Sequence, residues 1–195
     1  NNYLEEKKKI ITGWIDELPA IIKAADLGAN DGVFSQLPAA KNIFTIAADF
    51  DPWCINNLYK QIKASGIKNI QPLVIDLSNP SPSIGVNSEE RTSFMKRCKA
   101  DLVMALALIH HLAIGKNIPF KNVAEFFSRT CNTLIIEFVP KQDEKVELML
   151  RNKKDIYTDY NEENFITAFE KHFSVTARKD ITETGRVLFL MKKIN

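Results

Sequence analysis

Eight consecutive apolar residues, at positions 102–109, constrain the fold of this chain more than any other feature. Such a run is typical of a strand that is covered on both faces, as in the middle of a parallel sheet. Parallel strands need long connections, which are usually helical. The run is also far shorter than the roughly 20 apolar residues of a membrane-spanning helix. The sequence therefore predicts an α/β protein with this strand at the centre of its sheet.

Strands and helices are predicted to alternate on both sides of this run. Short apolar segments between turn residues predict further strands at 21–27, 43–48, 70–75 and 134–139. Apolar residues at helical spacing predict helices at 4–18, 33–40, 89–98, 120–127 and 143–151. Another helix begins at Asp51 and Pro52 and ends at Gly66, and Asn161 caps the last one.

The end of the chain follows a different pattern. Residues 173–178 and 187–192 predict two strands, with Gly185 in the loop between them, and no helical segment separates them. Five strands alternating with helices, then a hairpin, predict a three-layer α/β fold with a sheet of seven strands, mostly parallel, and an antiparallel C-terminal strand. The 195 residues suit one domain, in which residues 1–20 form an N-terminal helix. Because residue 1 is not methionine, we expect a longer polypeptide.

Composition narrows the classes of function. A formal charge of +2 gives no strong nucleic-acid signal, and the run Lys7-Lys8-Lys9 is predicted to be a solvated helical face. Cys54, Cys98 and Cys131 are widely separated, which predicts free thiols and no metal site. With no membrane-length apolar run and no signal-peptide pattern, we expect a cytoplasmic protein.

Residues 26–32 form the turn after the first predicted strand, where ligands bind in open α/β sheets. Gly28 and Gly32 lack a Cβ and are expected to allow close approach of a ligand to the backbone. A dinucleotide fingerprint requires glycine at positions 28, 30 and 33, but this chain has Asn30 and Val33. The carboxylate of Asp26 suits an ammonium or sulfonium group better than a pyrophosphate. The turn therefore favours S-adenosylmethionine over NAD.

Carboxylates also follow the next two predicted strands. Asp49 ends the second strand and can accept hydrogen bonds from both hydroxyls of a ribose. Asp76 and Leu77 end the third strand, where they could contact the amino group and the face of an adenine. These residues predict a site for an adenosine-containing ligand.

The chain resembles the class I, Rossmann-like S-adenosylmethionine-dependent methyltransferases in the series 26–32, 49, 76–77 and 101–112. More narrowly, segments 76–82, 105–114 and 136–141 are similar to bacterial methyltransferase-like proteins named after a nodulation protein. The resemblance implies that Gly28, Asn30 and Gly32 shape the pocket for the methionyl group. It also implies that Asp49 holds the ribose and that Asp76 and Leu77 flank the adenine. S-adenosylhomocysteine would be the product.

Asn30 replaces the second glycine of the usual class I turn. Asparagine tolerates left-handed backbone conformations better than most residues, so we expect the turn to keep its geometry.

The end of the fourth strand bears on catalysis. Ala105, expected to border the cofactor, and Leu106 stand where amino-group methyltransferases carry Asn or Asp, Pro, Pro and an aromatic residue. Methylation of a base or an amide is therefore disfavoured. His110 and His111 are the candidate general bases, because their ordinary pKa suits proton transfer at neutral pH. The alternative is that both only pack or cap a helix.

Several alternatives remain open from the sequence. The acceptor is unidentified and could be a small molecule or a macromolecule. The alternative functions are a non-catalytic S-adenosylmethionine-binding module and, less favoured, a NAD-dependent oxidoreductase. Glu137 could reach the active-site cleft or pair with Lys141. Trp14 and Trp53 are predicted to lie in the core. The loop 78–88 could be a lid or a surface excursion.

Overall fold

The computed structural model describes residues 2–151 and 153–194. Seven strands form one sheet in the order β3-β2-β1-β4-β5-β7-β6. The strands are β1 Lys23–Leu27, β2 Phe44–Asp49, β3 Ile70–Val74, β4 Ala100–Ala105, β5 Cys131–Phe138, β6 Phe173–Asp180 and β7 Val187–Lys193. β1 to β5 run parallel, and β7 is inserted antiparallel between β5 and β6. The predicted α/β sheet and its terminal hairpin are confirmed.

Helices cover both faces of the sheet and give the predicted three layers. The helices are α1 Asn2–Glu17, α2 Gln36–Ala39, α3 Pro52–Ser65, α4 Phe94–Arg97, α5 Phe120–Thr130, α6 Glu144–Leu150 and α7 Glu162–Phe169. On one face, Ile11 and Trp14 of α1 pack in a core with Met104 of β4. On the other, Phe127 of α5 and Phe165 of α7 share a second core.

Local chemistry sets several boundaries as predicted. Asp51 caps α3 by accepting a hydrogen bond from the backbone N–H of Trp53 at 2.8 Å, and Pro52 occupies the first turn. Gly66 ends the helix with φ of +68°, a conformation that costs glycine little. Asn161 caps α7 by accepting from the N–H of Asn164.

Other boundaries differ from the predictions. β4 ends at Ala105, four residues before the apolar run ends, because the backbone turns at Ala107, which has φ of +50°. The helix predicted at 89–98 is reduced to α4, and a single 3₁₀ turn, Val86–Ser88, precedes it. An antiparallel bridge between Ile84 and Arg91 holds the intervening polar segment instead.

The two tryptophans have different surroundings. Trp14 is buried as predicted, whereas the side chain of Trp53 is 76% exposed, so the prediction of a core position for Trp53 is wrong. Trp53 lies in the first turn of α3, on the side away from Ile55, Leu58 and Ile62, which pack inward. Helical spacing alone did not identify the inward side at this end of the helix.

Within the described residues, every helix is too short or too polar to cross a lipid bilayer.

Candidate functional site

The carboxyl ends of β1, β2 and β4 meet at one point of the sheet edge. β1 pairs with β2 on one side and with β4 on the other, so the order of the strands reverses direction here. In open α/β sheets, ligands bind outside the carboxyl ends of the strands at such a point. The segments that follow these three strands, 28–32, 50–53 and 106–111, therefore form the candidate site.

The turn after β1 contains three residues with a left-handed backbone. Gly28, Asn30 and Gly32 have φ values of +83°, +50° and +79°. The N–H groups of Gly28 and Ala29 both donate to the carbonyl of Ala48, which fastens the turn to β2. Asn30 thus adopts the conformation that we expected for a substitute of glycine.

The two glycines are required by packing within the protein, and their role in the approach of a ligand stays a prediction. A Cβ on Gly28 would lie 3.1 Å from the side chain of Leu108, and one on Gly32 would lie 2.5 Å from that of Leu58. An added side chain at either position would therefore press against a neighbouring leucine. Backbone conformation and internal packing require these glycines, whether or not a ligand binds.

Asp49 joins the turn after β1 to the start of α3. Its Oδ2 accepts a hydrogen bond from the N–H of Asn30 at 2.8 Å, and its Oδ1 accepts one from the N–H of Asp51 at 2.9 Å. The residue is 8% exposed at the sheet edge. Each carboxylate oxygen keeps a further lone pair, so Asp49 can still accept from a bound hydroxyl group.

Asp26 lies below the edge and is fully buried. The hydroxyl of Ser35 donates to its Oδ2 at 2.6 Å. Burial raises the pKa of Asp26 to about 6, although the Ser35 hydrogen bond and the charge of Lys7 act in the opposite direction. The predicted contact of Asp26 with a ligand ammonium group stays a prediction, and it requires a path to the carboxylate from the edge.

The residues predicted to contact the adenine, and Ala105 at the end of β4, differ in their exposure to solvent. Asp76 is accessible and accepts from the backbone N–H and hydroxyl of Ser78 and from Lys116 at 3.2 Å. The Ser78 hydrogen bonds, followed by that of Lys116, hold the pKa of Asp76 below its usual value. Leu77 is partly buried against the core on the α5 side, and Ala105 is fully buried there, so only the backbone of Ala105 can face a ligand.

Comparison with known proteins gives one curated relative. The chain is 39% identical over 170 residues to the nodulation protein NoeA of Rhizobium meliloti (strain 1021). The matched region is 86% of this chain but 35% of NoeA, so the chain spans about a third of the length of that relative. The predicted similarity to a nodulation protein is thereby confirmed. No family model matches the chain.

Solved structures share the whole fold at low sequence identity. The N-methyltransferase NodS from Bradyrhizobium japonicum WM9 covers 100% of this chain and 98% of its own, with a TM-score of 0.69 and 12% identity. The magnesium protoporphyrin IX methyltransferase ChlM from Synechocystis PCC 6803 was solved with S-adenosylhomocysteine bound. Its match covers 98% of this chain and 84% of ChlM, with a TM-score of 0.65 and 14% identity. The chain has the class I methyltransferase fold.

In this methyltransferase fold, His110 and His111 follow β4, and a π-helical turn, His111–Gly115, begins directly after His110. His110 is 1% exposed, and its Nδ1 has no hydrogen-bond partner among the described residues. Burial, with smaller contributions from His111 and Arg186, lowers its pKa to about 3. His111 is exposed; partial desolvation lowers its pKa, and the carboxylate of Asp49 opposes this. Both rings are therefore neutral at neutral pH.

Glu137 of β5 forms a buried ion pair, but not with the predicted partner. The Nζ of Lys7 in α1 donates to its Oε2 at 2.6 Å, while Lys141 pairs with Asp155. Lys7 is 2% exposed, so the prediction of a solvated face for the whole lysine run is wrong at this position. Burial lowers the pKa of Lys7, and the charge of Glu137 acts against that effect.

The other members of this polar cluster do not stand out in the sequence. The hydroxyl of Tyr3 donates to Glu137 at 2.9 Å and accepts from Arg186 at 2.9 Å, and Arg186 also binds the carboxylate of Asp143 through two nitrogens. One signal was present, because Tyr3, Lys7, Ile11 and Trp14 share a helical stripe that places Lys7 on the inward face. Nothing in the sequence indicated that Arg186 joins them.

Proposed function

We propose that this chain forms one domain that binds S-adenosylmethionine at the carboxyl edge of its sheet and transfers the methyl group to an acceptor. The proposal rests on one observation: the left-handed turn after β1 is hydrogen-bonded, through the N–H of Asn30, to the carboxylate of Asp49 at the end of β2. The ChlM enzyme, which has the same fold, has been solved with S-adenosylmethionine and with S-adenosylhomocysteine. NodS, of the same fold, is an N-methyltransferase.

The residues at the edge fit this cofactor. Asp49 holds its two backbone N–H partners and keeps lone pairs for the two ribose hydroxyls. Asp76 and Leu77 offer an acceptor and an apolar surface for the adenine, with Lys116 sharing one oxygen of Asp76. The backbone of the turn after β1 would border the methionyl group, and the negative charge of Asp26 below the turn favours its ammonium group.

The bound cofactor would supply a methyl group on a positively charged sulfur. The protein's part is to hold that carbon in line with a lone pair of the acceptor, and this positioning provides much of the rate. An acceptor hydroxyl or amine also loses a proton, so a neutral base at the edge assists. The structure favours His111 for this role over His110, because His111 is exposed and His110 is inaccessible and weakly basic. Full turnover by a His111→Ala variant would exclude the role.

A non-catalytic module that only binds S-adenosylmethionine is the second candidate. It is favoured by the absence of the Asn/Asp-Pro-Pro-aromatic sequence after β4 and by the burial of His110. NAD binding is disfavoured by Asn30 and Val33, which depart from the dinucleotide fingerprint, and by the buried carboxylate of Asp26.

Calorimetric titration of the purified chain with S-adenosylmethionine, S-adenosylhomocysteine and NAD tests the cofactor. We expect micromolar binding of the first two ligands. Asp49→Ala should lower their affinity by about 100-fold, because the variant lacks the charged group that accepts hydrogen bonds from the ribose. Asp101→Ala is the matched control, because Asp101 also accepts from two backbone N–H groups, at the opposite edge. Binding of NAD alone, or equal losses in both variants, would refute the proposal.

A further inference from the structure

A second concave surface lies at the amino edge of the sheet, opposite the proposed cofactor site. It is a cavity of about 370 Å³, lined by the starts of β1, β4 and β5, the end of α5 and the end of β7. Its charged lining residues are Lys23, Lys99, Asp101, Arg129 and Lys193. Four cations and one carboxylate therefore surround a space of the size of a small-molecule site.

The positive charge of this cavity is poorly balanced from within the protein. Among the residues that the structure describes, Lys23, Lys99 and Lys193 form no ion pair with a carboxylate. Lys23 donates to the carbonyl of Arg97 at 2.7 Å, and Arg129 pairs with Glu125 outside the cavity. Cations that line one cavity without counter-charges repel one another, and an anion among them would lower that repulsion.

Asp101, the carboxylate in the cavity, is held by the backbone of the amino edge. Its Oδ2 accepts from the backbone N–H groups of Ile22 and Lys23 at 2.9 and 3.0 Å. Asp101 therefore occupies these two backbone donors, and its Oδ2 is directed toward them and not toward the lysines.

The C-terminal end of α5 would ordinarily repel an anion, since its last carbonyls carry partial negative charge. Here that end is capped from within the chain. The hydroxyl of Thr130 donates to the carbonyls of Phe126 and Phe127, and the backbone N–H and Sγ of Cys131 also donate to Phe127. These contacts satisfy the carbonyls of Phe126 and Phe127, which reduces the partial negative charge at this end of the helix.

We propose that this cavity binds a small multivalent anion with a phosphate dianion, held between Lys99, Lys193 and Lys23. The volume of the cavity fits a small molecule. The site is independent of the proposed methyl transfer, because it lies at the other edge of the sheet and needs no cofactor.

Titration of the chain with inorganic pyrophosphate at low ionic strength tests the site, with heats of binding as the readout. We expect saturable one-site binding that the double variant Lys99→Met/Lys193→Met weakens by about tenfold or more, as expected for the removal of two charged contacts. The matched control is Lys60→Met/Lys63→Met, which removes the same charge from exposed positions on α3.

A loss of pyrophosphate affinity in Lys99→Met/Lys193→Met, but not in the control variant, supports the proposal. No saturable binding by the unaltered chain, or equal weakening in both double variants, overturns it, because either result shows only general charge screening. Vesicles of anionic lipid are a further arm of the test, and displacement of pyrophosphate by them would overturn the assignment to a small ligand. All four lysines are exposed, so the variants are expected to fold, which unfolding curves verify.

Discussion

The two edges of the sheet use an aspartate in the same way but differ in the backbone and the burial around it. Asp49 at the carboxyl edge and Asp101 at the amino edge each accept from two backbone N–H groups. Around Asp49, the chain holds Asn30 and Ala107 in left-handed conformations and buries Asp26 nearby. Around Asp101, the strands begin regularly and the charges are exposed. Backbone strain and a buried carboxylate thus lie close to Asp49, as is common where function constrains a chain.

The largest expected effect concerns the buried charge near the carboxyl edge. Glu137→Ala leaves Lys7 buried without its partner, so we expect a loss of about 3–5 kcal/mol in the free energy of unfolding. Urea unfolding of the variant and the unaltered chain measures this loss.

The exposed pair of Glu5 and Lys8 on the same helix is the control. Glu5→Ala should cost less than about 1 kcal/mol, because solvent screens that pair. If Glu137→Ala were equally mild, the buried pair would not hold α1 to the sheet as the structure indicates.

The next prediction compares the cost of adding a Cβ to a glycine near each edge of the sheet. Gly32 and Gly66 both have positive φ, but an added Cβ meets Leu58 at 2.5 Å in the first and nothing within 4 Å in the second. We expect Gly32→Ala to lower the free energy of unfolding by about 2–4 kcal/mol through strain and overpacking, and Gly66→Ala by about 1 kcal/mol through strain alone. Thermal unfolding midpoints check the order, and equal costs would mean that the turn repacks freely.

A smaller and pH-dependent effect concerns Asp26. Its pKa is about 6 in the folded protein and near 3.8 when exposed, so the folded state binds the extra proton between these values. The resulting stability is present below about pH 3.8 and is lost as the pH rises through 6. Asp26→Asn does not titrate, so its stability relative to the unaltered chain should rise by roughly 2 kcal/mol between pH 4 and pH 7. A difference that is flat over this range, or that falls, would contradict the burial of the charge.

The sequence predicted the features that local chemistry or a long pattern controls. The boundaries at Asp51, Gly66 and Asn161 follow from capping, which depends on a few adjacent residues. The alternation of strands and helices, with the final hairpin, was enough to predict the sheet and its antiparallel strand. At the site, the turn and Asp49 were predicted because they directly follow strands.

The features that were missed depend on tertiary contacts. An apolar run cannot show where a strand ends when the following turn is also buried, which explains the early end of β4 at Ala105. Lys7 was assigned to solvent because its partner, Glu137, is 130 residues away. Arg186 and Asp143 are likewise brought together by the fold.

The most direct test of the central claim is a nuclear magnetic resonance titration of the backbone amides with S-adenosylhomocysteine. Asn30 and Asp51 carry the two amides bound to Asp49, and Ile22 and Lys23 carry those bound to Asp101. We predict large, saturable shifts for the first pair together with Gly28, and none for the second pair. Shifts confined to Ile22 and Lys23, or no saturable shifts at all, would contradict a cofactor site at the carboxyl edge.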